Sequence, residues 1–190
     1  MVVIKKKYFL IIESIKDIEL KNIKKHDKFF IIYRNKNNNE NITRLLNFKK
    51  NCQLKSIKFY IANNIKLAVL LHADGIYLSS FNKSFKALSF KKRHFSIIGS
   101  AHNFHEISMK IKQGCEFILL SKLFTVSYDP VAPYIGVIKF NNYLKINKNL
   151  IPLGGINQSN LNCLNIVNSK GFALMSEVKK KPAKIFNRLF

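Results

Sequence analysis

At 190 residues the chain is long enough for one hydrophobic core and short for two, and a hydrophobic content of 47% argues against a disordered protein. A formal net charge of +23 and a pI of about 10.1 would ordinarily indicate a nucleic-acid partner. The basic residues are, however, spread along most of the chain beside abundant Asn, Ile and Phe, which is typical of compositional bias. We therefore expect one domain, residues 1–190, with no specific nucleic-acid site.

The cysteines and the apolar runs restrict where the protein works. Cys52, Cys115 and Cys163 are an odd, widely spaced set without a CxxC pair, which predicts reduced thiols. No apolar run approaches the length of a membrane span. The first apolar segment, residues 8–12, is interrupted at Glu13 and is too short for the core of a signal peptide. We expect a cytoplasmic protein without a membrane partner, of open oligomeric state.

Short apolar runs alternate with segments of helical periodicity along almost the whole chain. The apolar runs predict eight strands, at residues 8–12, 28–34, 57–62, 75–78, 96–99 and 116–120 and around Ile151 and Phe172. Helices are predicted at residues 18–23, 42–50, 64–72, 84–90, 104–112, 140–146, 160–167 and 182–190. Alternating β and α elements imply a parallel sheet with right-handed crossovers. We predict a compact (β/α)8 TIM barrel, with an open doubly wound sheet as the alternative.

A glycine turn near the end of the chain has the pattern of an anion site. Residues 151–157 read as a short buried strand followed by Gly154 and Gly155 and then by the start of a predicted helix, which Asn157 or Ser159 can cap. Free backbone N–H groups and a helix N-terminus at such a turn suit a phosphate. The next apolar strand ends at Ser176. Two adjacent turns of this kind late in a βα chain suggest the phosphate site of a barrel.

Polar residues follow most of the predicted strands, where the active site of a barrel lies. Basic and hydroxyl side chains dominate this set, and carboxylates are few, which suits phosphate and diphosphate groups. The residues are Arg34, Lys36, Asn63, Ser79, Ser80, Asn82, Ser100, His102, Ser121, Lys122, Thr125, Gly154, Gly155 and Ser176.

Five segments, in order and at similar spacing, resemble motifs of the thiamine-phosphate synthase and TenI family. Residues 33–36 (YRNK) are similar to its arginine-x-lysine strand end, and residues 72–78 (HADGIYL) resemble its Ala-Asp-Gly-Ile-His-Leu segment. Residues 98–103 (IGSAHN) are similar to its Gly-Val-Ser-x-His turn, and residues 119–124 (LLSKLF) to its Leu-Ser-Pro-Val-Phe loop. Residues 152–156 (PLGGI) resemble its Gly-Gly-Ile phosphate turn. The likeness covers nearly the whole chain.

The resemblance implies a (β/α)8 barrel enzyme of thiamine biosynthesis that joins hydroxymethylpyrimidine diphosphate to thiazole phosphate, giving thiamine phosphate and diphosphate. It implies that Arg34 and Lys36, with Asn63 beside them, hold the diphosphate of the pyrimidine. It also implies that Ser100 faces this substrate and that His102 lies at the catalytic turn. Gly154, Gly155 and Ser176 would hold the phosphate of the thiazole. The implied partners are thus small phosphorylated substrates.

Two departures from the family pattern concern its metal. The synthases hold Mg²⁺ with two aspartates, and the matching positions are Asn63 and Asn82, which are neutral and weaken the case for a hard cation. The possibility of a Mg²⁺ ion held mainly by the oxygens of the substrate diphosphate stays open.

Another departure is that the proline of the strand-six loop is replaced by Lys122.

Two other functions remain open. The TenI branch of the family aromatises a thiazole tautomer by proton transfer without a metal, and its catalytic histidine matches His102, which suits such work. The charge of +23 also fits a noncatalytic polyanion-binding protein. Plainer interpretations exist as well: Arg34 and Lys36 as solvated strand-end cations, His102 as a helix cap, and Asp74 as a turn residue bonded to the backbone.

Overall fold

The computed structural model describes residues 5–23, 26–35, 40–93 and 95–180. Within these residues, eight parallel strands form one sheet in the order β7-β6-β5-β4-β3-β2-β1-β8. The strands are β1 Lys7–Ile12, β2 Phe29–Tyr33, β3 Lys58–Ala62, β4 Gly75–Leu78, β5 Ser96–Ala101, β6 Phe117–Ser121, β7 Leu150–Leu153 and β8 Gly171–Leu174. Strands β7 and β8 also contact each other, so the sheet is a nearly closed barrel. The predicted (β/α)8 fold is confirmed.

Apolar side chains fill the barrel from inside and cover it from outside. The inward positions form one cluster, which includes Phe9, Phe30, Phe117 and Tyr60. The rings of Phe9 and Phe30 stack with their centroids 4.6 Å apart. The outward positions pack under the helices in a larger cluster. The barrel is therefore a solid core, and its free space lies at the mouth.

Five α-helices lie on the outer face of the described barrel: α1 Ile42–Leu54, α2 Ile65–Leu70, α3 Phe104–Lys112, α4 Gly136–Ile146 and α5 Ser176–Lys179. Asparagine side chains cap three of them, because Asn41, Asn64 and Asn103 each accept a hydrogen bond from a first-turn N–H group. None of the helices in the described part of the chain combines the length and apolar character needed to cross a lipid bilayer.

Several predicted helices take the tighter 3-10 form instead. The segment predicted at 160–167 is a 3-10 helix at Leu161–Ile166. Its buried residues Leu161 and Leu164 and its buried C-cap residue Val167 recur every three positions, which matches the three residues per turn of this helix. The segment at 84–90 is a 3-10 helix at Lys86–Arg93.

Other boundaries differ from the sequence-based expectation. The segment predicted at 18–23 contains one 3-10 turn, Leu20–Asn22, and a second turn, Ile15–Asp17, precedes it. Helix α4 begins at Gly136, four residues before its predicted start. The helix predicted at 182–190 lies outside the described residues, as do residues 36–39, which follow β2.

Candidate active site

Alternation along the strands decides which side chains reach the centre of the mouth. In β2 the inward series Phe30 and Ile32 continues to Arg34, just past the end of the strand. In β5 the same step leads from Ile98 through Ser100 to His102. The same alternation continues from Tyr77 to Ser79 in β4, from Leu119 to Ser121 in β6, from Ile151 to Leu153 in β7 and from Ala173 to Met175 in β8.

These side chains surround one cavity of about 450 Å³ at the carboxyl ends of the strands. Its volume lies within the usual range of a small-molecule site, about 300–1,000 Å³. Leu153 and Met175, partly buried, pack on the inner cluster and form part of its floor. Hydroxyl, amide and basic groups line the walls, from Arg34, Tyr77, Ser79, Ser80, Ser100, His102, Ser121, Lys122, Gly154, Gly155, Ser176 and Lys179.

Six of the residues to which the family resemblance assigns a role meet in this cavity: Arg34, Ser100, His102, Gly154, Gly155 and Ser176. Ser79, Ser80, Ser121 and Lys122, also expected at the mouth, line it too. Lys36 lies outside the described residues. The remaining two, Asn63 and Asn82, line a neighbouring cavity of about 560 Å³ instead. Arg34 lines both cavities and so connects them.

The glycine turn has the backbone conformation that the sequence predicts. Gly154 and Gly155 have φ angles of +92° and +71°. A Cβ atom on Gly155 would lie 2.4 Å from the carbonyl oxygens of Phe124 and Thr125, so only glycine fits. The segment that follows is the short 3-10 helix, and Asn157 Oδ1 accepts from the N–H groups of Ser159 and Asn160. The geometry provides the turn, but without the α-helix dipole that the sequence led us to expect.

His102 is held in place at the mouth by two contacts. Its Nδ1 lies 2.9 Å from Ser121 Oγ. Its backbone N–H donates to Glu106 Oε2 at 2.7 Å, while the N–H of Glu106 donates to Asn103 Oδ1 at the start of α3. The turn after β5 is thus tied to α3, and the exposed His102 lines the cavity.

Tyr77 is a wall residue that sequence analysis missed. It is buried, and it lines the cavity together with Ser100 and Arg34. Burial raises the pKa of this phenol, and the opposing influences of Ser100 and Arg34 are smaller. The two-residue alternation of β4, in which Tyr77 precedes the inward Ser79, is the signal that could have found it.

The cavity contains a basic residue from the β6 loop. Lys122 Nζ lies 3.0 Å from Asp129 Oδ2 and 5.7 Å from the centroid of the Tyr128 ring. On the opposite side, the backbone N–H of Arg34 donates to Ile12 O at 2.7 Å, which fixes the residue to the end of β1. Positive charge therefore reaches the cavity from two sides.

Asn63 and Asn82 form a hydrogen bond to each other. Asn82 Nδ2 donates to Asn63 Oδ1 at 3.0 Å, and the same oxygen accepts from N and Oγ of Ser79, also at 3.0 Å. Asn63 has a left-handed backbone, φ 58°, which asparagine tolerates better than most residues. The ends of β3 and β4 are thereby joined.

Comparison with known proteins agrees with this architecture. The family model described as thiamine monophosphate synthase matches residues 14–178. The thiamine-phosphate synthases of Flavobacterium psychrophilum and Flavobacterium johnsoniae are both 28% identical to the chain, over 121 and 141 residues. These matches cover 60% and 70% of this chain and 59% and 66% of the relatives, so the chain spans less than two thirds of their length.

A solved structure gives the same fold. The thiamine phosphate pyrophosphorylase from Pyrococcus furiosus superimposes with a TM-score of 0.76 at 17% identity, covering 97% of this chain and 93% of that one. At this identity the likeness concerns the fold alone. The family assignment comes from the sequence model, which matches well over half of the chain, and the barrel and its mouth agree with it. The chain belongs to the thiamine monophosphate synthase family.

Proposed function

We propose that this chain joins hydroxymethylpyrimidine diphosphate to thiazole phosphate and releases thiamine phosphate and diphosphate. In this reaction the bond between the pyrimidine methylene carbon and the diphosphate oxygen breaks, and its electron pair leaves with the diphosphate. The lone pair of the thiazole nitrogen forms the new carbon–nitrogen bond. The protein positions the two reactants and stabilises the charge of the leaving group. Membership of the family and the names of the curated relatives support this reaction.

The observation that carries the proposal is one cavity with an anion-binding group on each of two sides. Arg34 reaches it from β2, and the turn of Gly154 and Gly155, with Ser176 beside it, reaches it from β7 and β8. Two phosphorylated substrates need two such groups within one enclosed space, because their reacting atoms must meet. A guanidinium group suits the leaving diphosphate, which it can bind through two hydrogen bonds.

The other lining residues have roles consistent with this placement. Ser100 lines the cavity beside Tyr77, and the pyrimidine would lie against it. Gly154 and Gly155 carry no side chain that could cover the backbone N–H groups of the turn, so a phosphate can approach these groups closely. Ser176 adds a hydroxyl group to the same side. Lys36 follows Arg34 by two residues and is assigned to the diphosphate by the family resemblance alone.

The test is formation of thiamine phosphate from the two substrates by purified protein, with Mg²⁺ in the buffer. Wild-type protein should form product, and Arg34→Met should slow the reaction by about 100-fold or more, because one preorganised charge on the leaving group is lost. Arg44→Met, at an exposed position of α1, removes the same charge outside the cavity and should leave the rate unchanged. No product above background from wild-type protein would refute the proposal.

A second candidate activity is the metal-independent tautomerisation of a thiazole phosphate. It is favoured by the contact of His102 Nδ1 with Ser121 Oγ, which orients the ring of a histidine that lines the cavity. A histidine held in this way can move a proton on a bound substrate. If this is the activity, His102→Ala should slow tautomerisation by about 100-fold or more. His105→Ala, at an exposed position of α3, is the matched control. An undiminished rate in His102→Ala would remove the basis of this candidate.

A further inference from the structure

The side-chain oxygen of Asn63 is fully used within the protein. It accepts hydrogen bonds from N and Oγ of Ser79 and from Nδ2 of Asn82, all at 3.0 Å. An amide oxygen has two lone pairs, so three donors leave none for a metal. A cation at this position would have to break these contacts and would leave the buried Ser79 without its acceptor.

The oxygens of Asn82 are occupied as well. Its Oδ1 accepts from Ser84 N at 2.9 Å. Its carbonyl oxygen accepts from Lys110 Nζ at 2.7 Å and from Gln113 Nε2 at 2.9 Å. Lys110 and Gln113 are buried on the inner side of α3, so this arrangement is part of the packed structure. The ammonium group of Lys110 also places a positive charge where a divalent cation would be repelled.

The residues that line the two cavities do not fit Mg²⁺. This ion is bound in proteins chiefly through carboxylates and water. No Asp or Glu is among the described residues that line either cavity. The described part of the chain also holds no group of three or more His, Cys, Asp or Glu residues that could bind a metal ion. The neutral side chains of Asn63 and Asn82 form a hydrogen bond with each other instead.

Three basic side chains line the central cavity, and one of them, Lys179, is already paired with Glu13. Arg34 lines both cavities and forms no ion pair with any carboxylate in the described ranges. Lys122 lines the central cavity with a side chain that is only 21% exposed, held by Asp129 and by the ring of Tyr128. The Asp129 side chain is 49% exposed, and an ion pair at such a position is weak. Phosphate oxygens can therefore replace the Asp129 carboxylate at the Lys122 ammonium group, and water then solvates the carboxylate.

We propose that the central cavity binds the diphosphate of its substrate without a divalent cation, with Lys122 and Arg34 supplying the positive charge and the Asn63–Asn82 hydrogen bond standing in place of metal ligands. The identity of the substrate rests on the proposed function. Binding of diphosphate without a metal, however, is a property of the cavity that can be measured by itself.

The experiment is calorimetric titration with inorganic diphosphate at physiological salt, once with EDTA and once with Mg²⁺. Wild-type protein should bind one diphosphate in EDTA, and Mg²⁺ should not tighten the binding. In EDTA, Lys122→Met should weaken binding by about tenfold or more, because a charged hydrogen-bond donor is lost. Lys122→Arg should keep most of the affinity. Lys112→Met, which removes an exposed charge from the end of α3, should bind as wild type does.

The Asn63→Asp/Asn82→Asp double variant tests the amide pair. Two carboxylates in these positions repel each other and attract a cation, so its diphosphate binding should be weak in EDTA and should recover with Mg²⁺. Equal binding by the double variant in both buffers would overturn the role assigned to the amides. Wild-type binding that requires Mg²⁺, the absence of any binding, or unchanged affinity in Lys122→Met would overturn the inference.

The two proposals fail separately. Diphosphate binding in EDTA by a protein that forms no thiamine phosphate would sustain this inference and refute the proposed function. A protein that forms thiamine phosphate but binds diphosphate only with Mg²⁺ would sustain the proposed function and refute this inference.

Discussion

Asn82 donates from its side-chain amide to Asn63 Oδ1, and this contact joins the ends of two neighbouring strands at the barrel mouth. Asn63 accepts two further hydrogen bonds from Ser79 and does so from a left-handed backbone with φ 58°. Position 63 therefore needs both a side-chain oxygen that accepts hydrogen bonds and a residue that tolerates a positive φ. Substitutions can separate these two requirements.

Asn63→Ala should lower the free energy of unfolding by about 1–3 kcal/mol, because the N–H and hydroxyl of buried Ser79 lose their acceptor. Asn63→Gly loses the same bonds but accepts a positive φ freely, so it should be about 0.5–1 kcal/mol less destabilised than the alanine variant. Urea unfolding of both variants measures the difference. Equal stabilities would mean that backbone strain is unimportant at this position.

Gly155→Ala should deform the turn at the centre of the site. The new Cβ atom would meet two carbonyl oxygens at 2.4 Å, so the β6 loop or the turn must move. Gly136 is the matched control: its φ is similar, at +72°, but the nearest atom to a Cβ there is 4.0 Å away. Gly136→Ala should cost about 1–2 kcal/mol from backbone strain alone. Gly155→Ala should cost more and should also reduce product formation, which can be measured on protein that remains folded.

Asp74 should be a structural residue. Its Oδ2 accepts from Lys49 Nζ at 2.7 Å and from Phe59 N at 2.8 Å, at the start of β4, the end of the strand remote from the cavity. Asp74→Asn leaves the buried Lys49 without a counter-charge and should cost about 2–4 kcal/mol of stability. Adding Lys49→Met should restore much of this loss. Catalytic rates per folded molecule should be unchanged in both variants, and a lower rate in Asp74→Asn would assign it a role in the reaction.

Tyr77 should contribute to alkaline unfolding. Burial holds its pKa above the ordinary value of 10.0 in the folded state, so between pH 10 and its folded pKa the unfolded chain loses a proton that the folded chain keeps. The stabilisation is fully present below pH 10 and is lost as the pH rises through that window. The slope from this residue is at most about 1.4 kcal/mol per pH unit. Tyr77→Phe should therefore flatten the alkaline decline in stability, while leaving the slope near neutral pH as in wild type.

The strands followed from local sequence, and the inward direction of the site residues could have been read from it, although we did not predict it. A period of two carries Phe30 and Ile32 on to Arg34, and Ile98 on to Ser100 and His102. In β3 the inward residue is Tyr60, and Asn63 follows it by an odd number of positions. Asn63 is therefore on the opposite face and lines the neighbouring cavity rather than the central one. These features depend on neighbours along the chain, which the sequence contains.

The contacts between loops could not be predicted in this way. The hydrogen bond between Asn63 and Asn82 depends on a left-handed backbone at one residue and on the anchoring of the other by Lys110. The salt bridge of Lys122 with Asp129 depends on how the β6 loop folds back. The 3-10 helix at Leu161–Ile166 was also missed, because a spacing of three between apolar residues occurs in α-helices as well.

If one cavity holds both phosphate-binding sides of a condensation reaction, thiamine phosphate should bind inside it in one orientation, which a crystal structure of the complex would measure. We predict that the phosphate lies within hydrogen-bond distance of Gly155 N and Ser176 Oγ, with the pyrimidine ring beside Ser100. Thiamine phosphate found only outside this cavity, or with its phosphate at Arg34 and its pyrimidine at the glycine turn, would contradict the account.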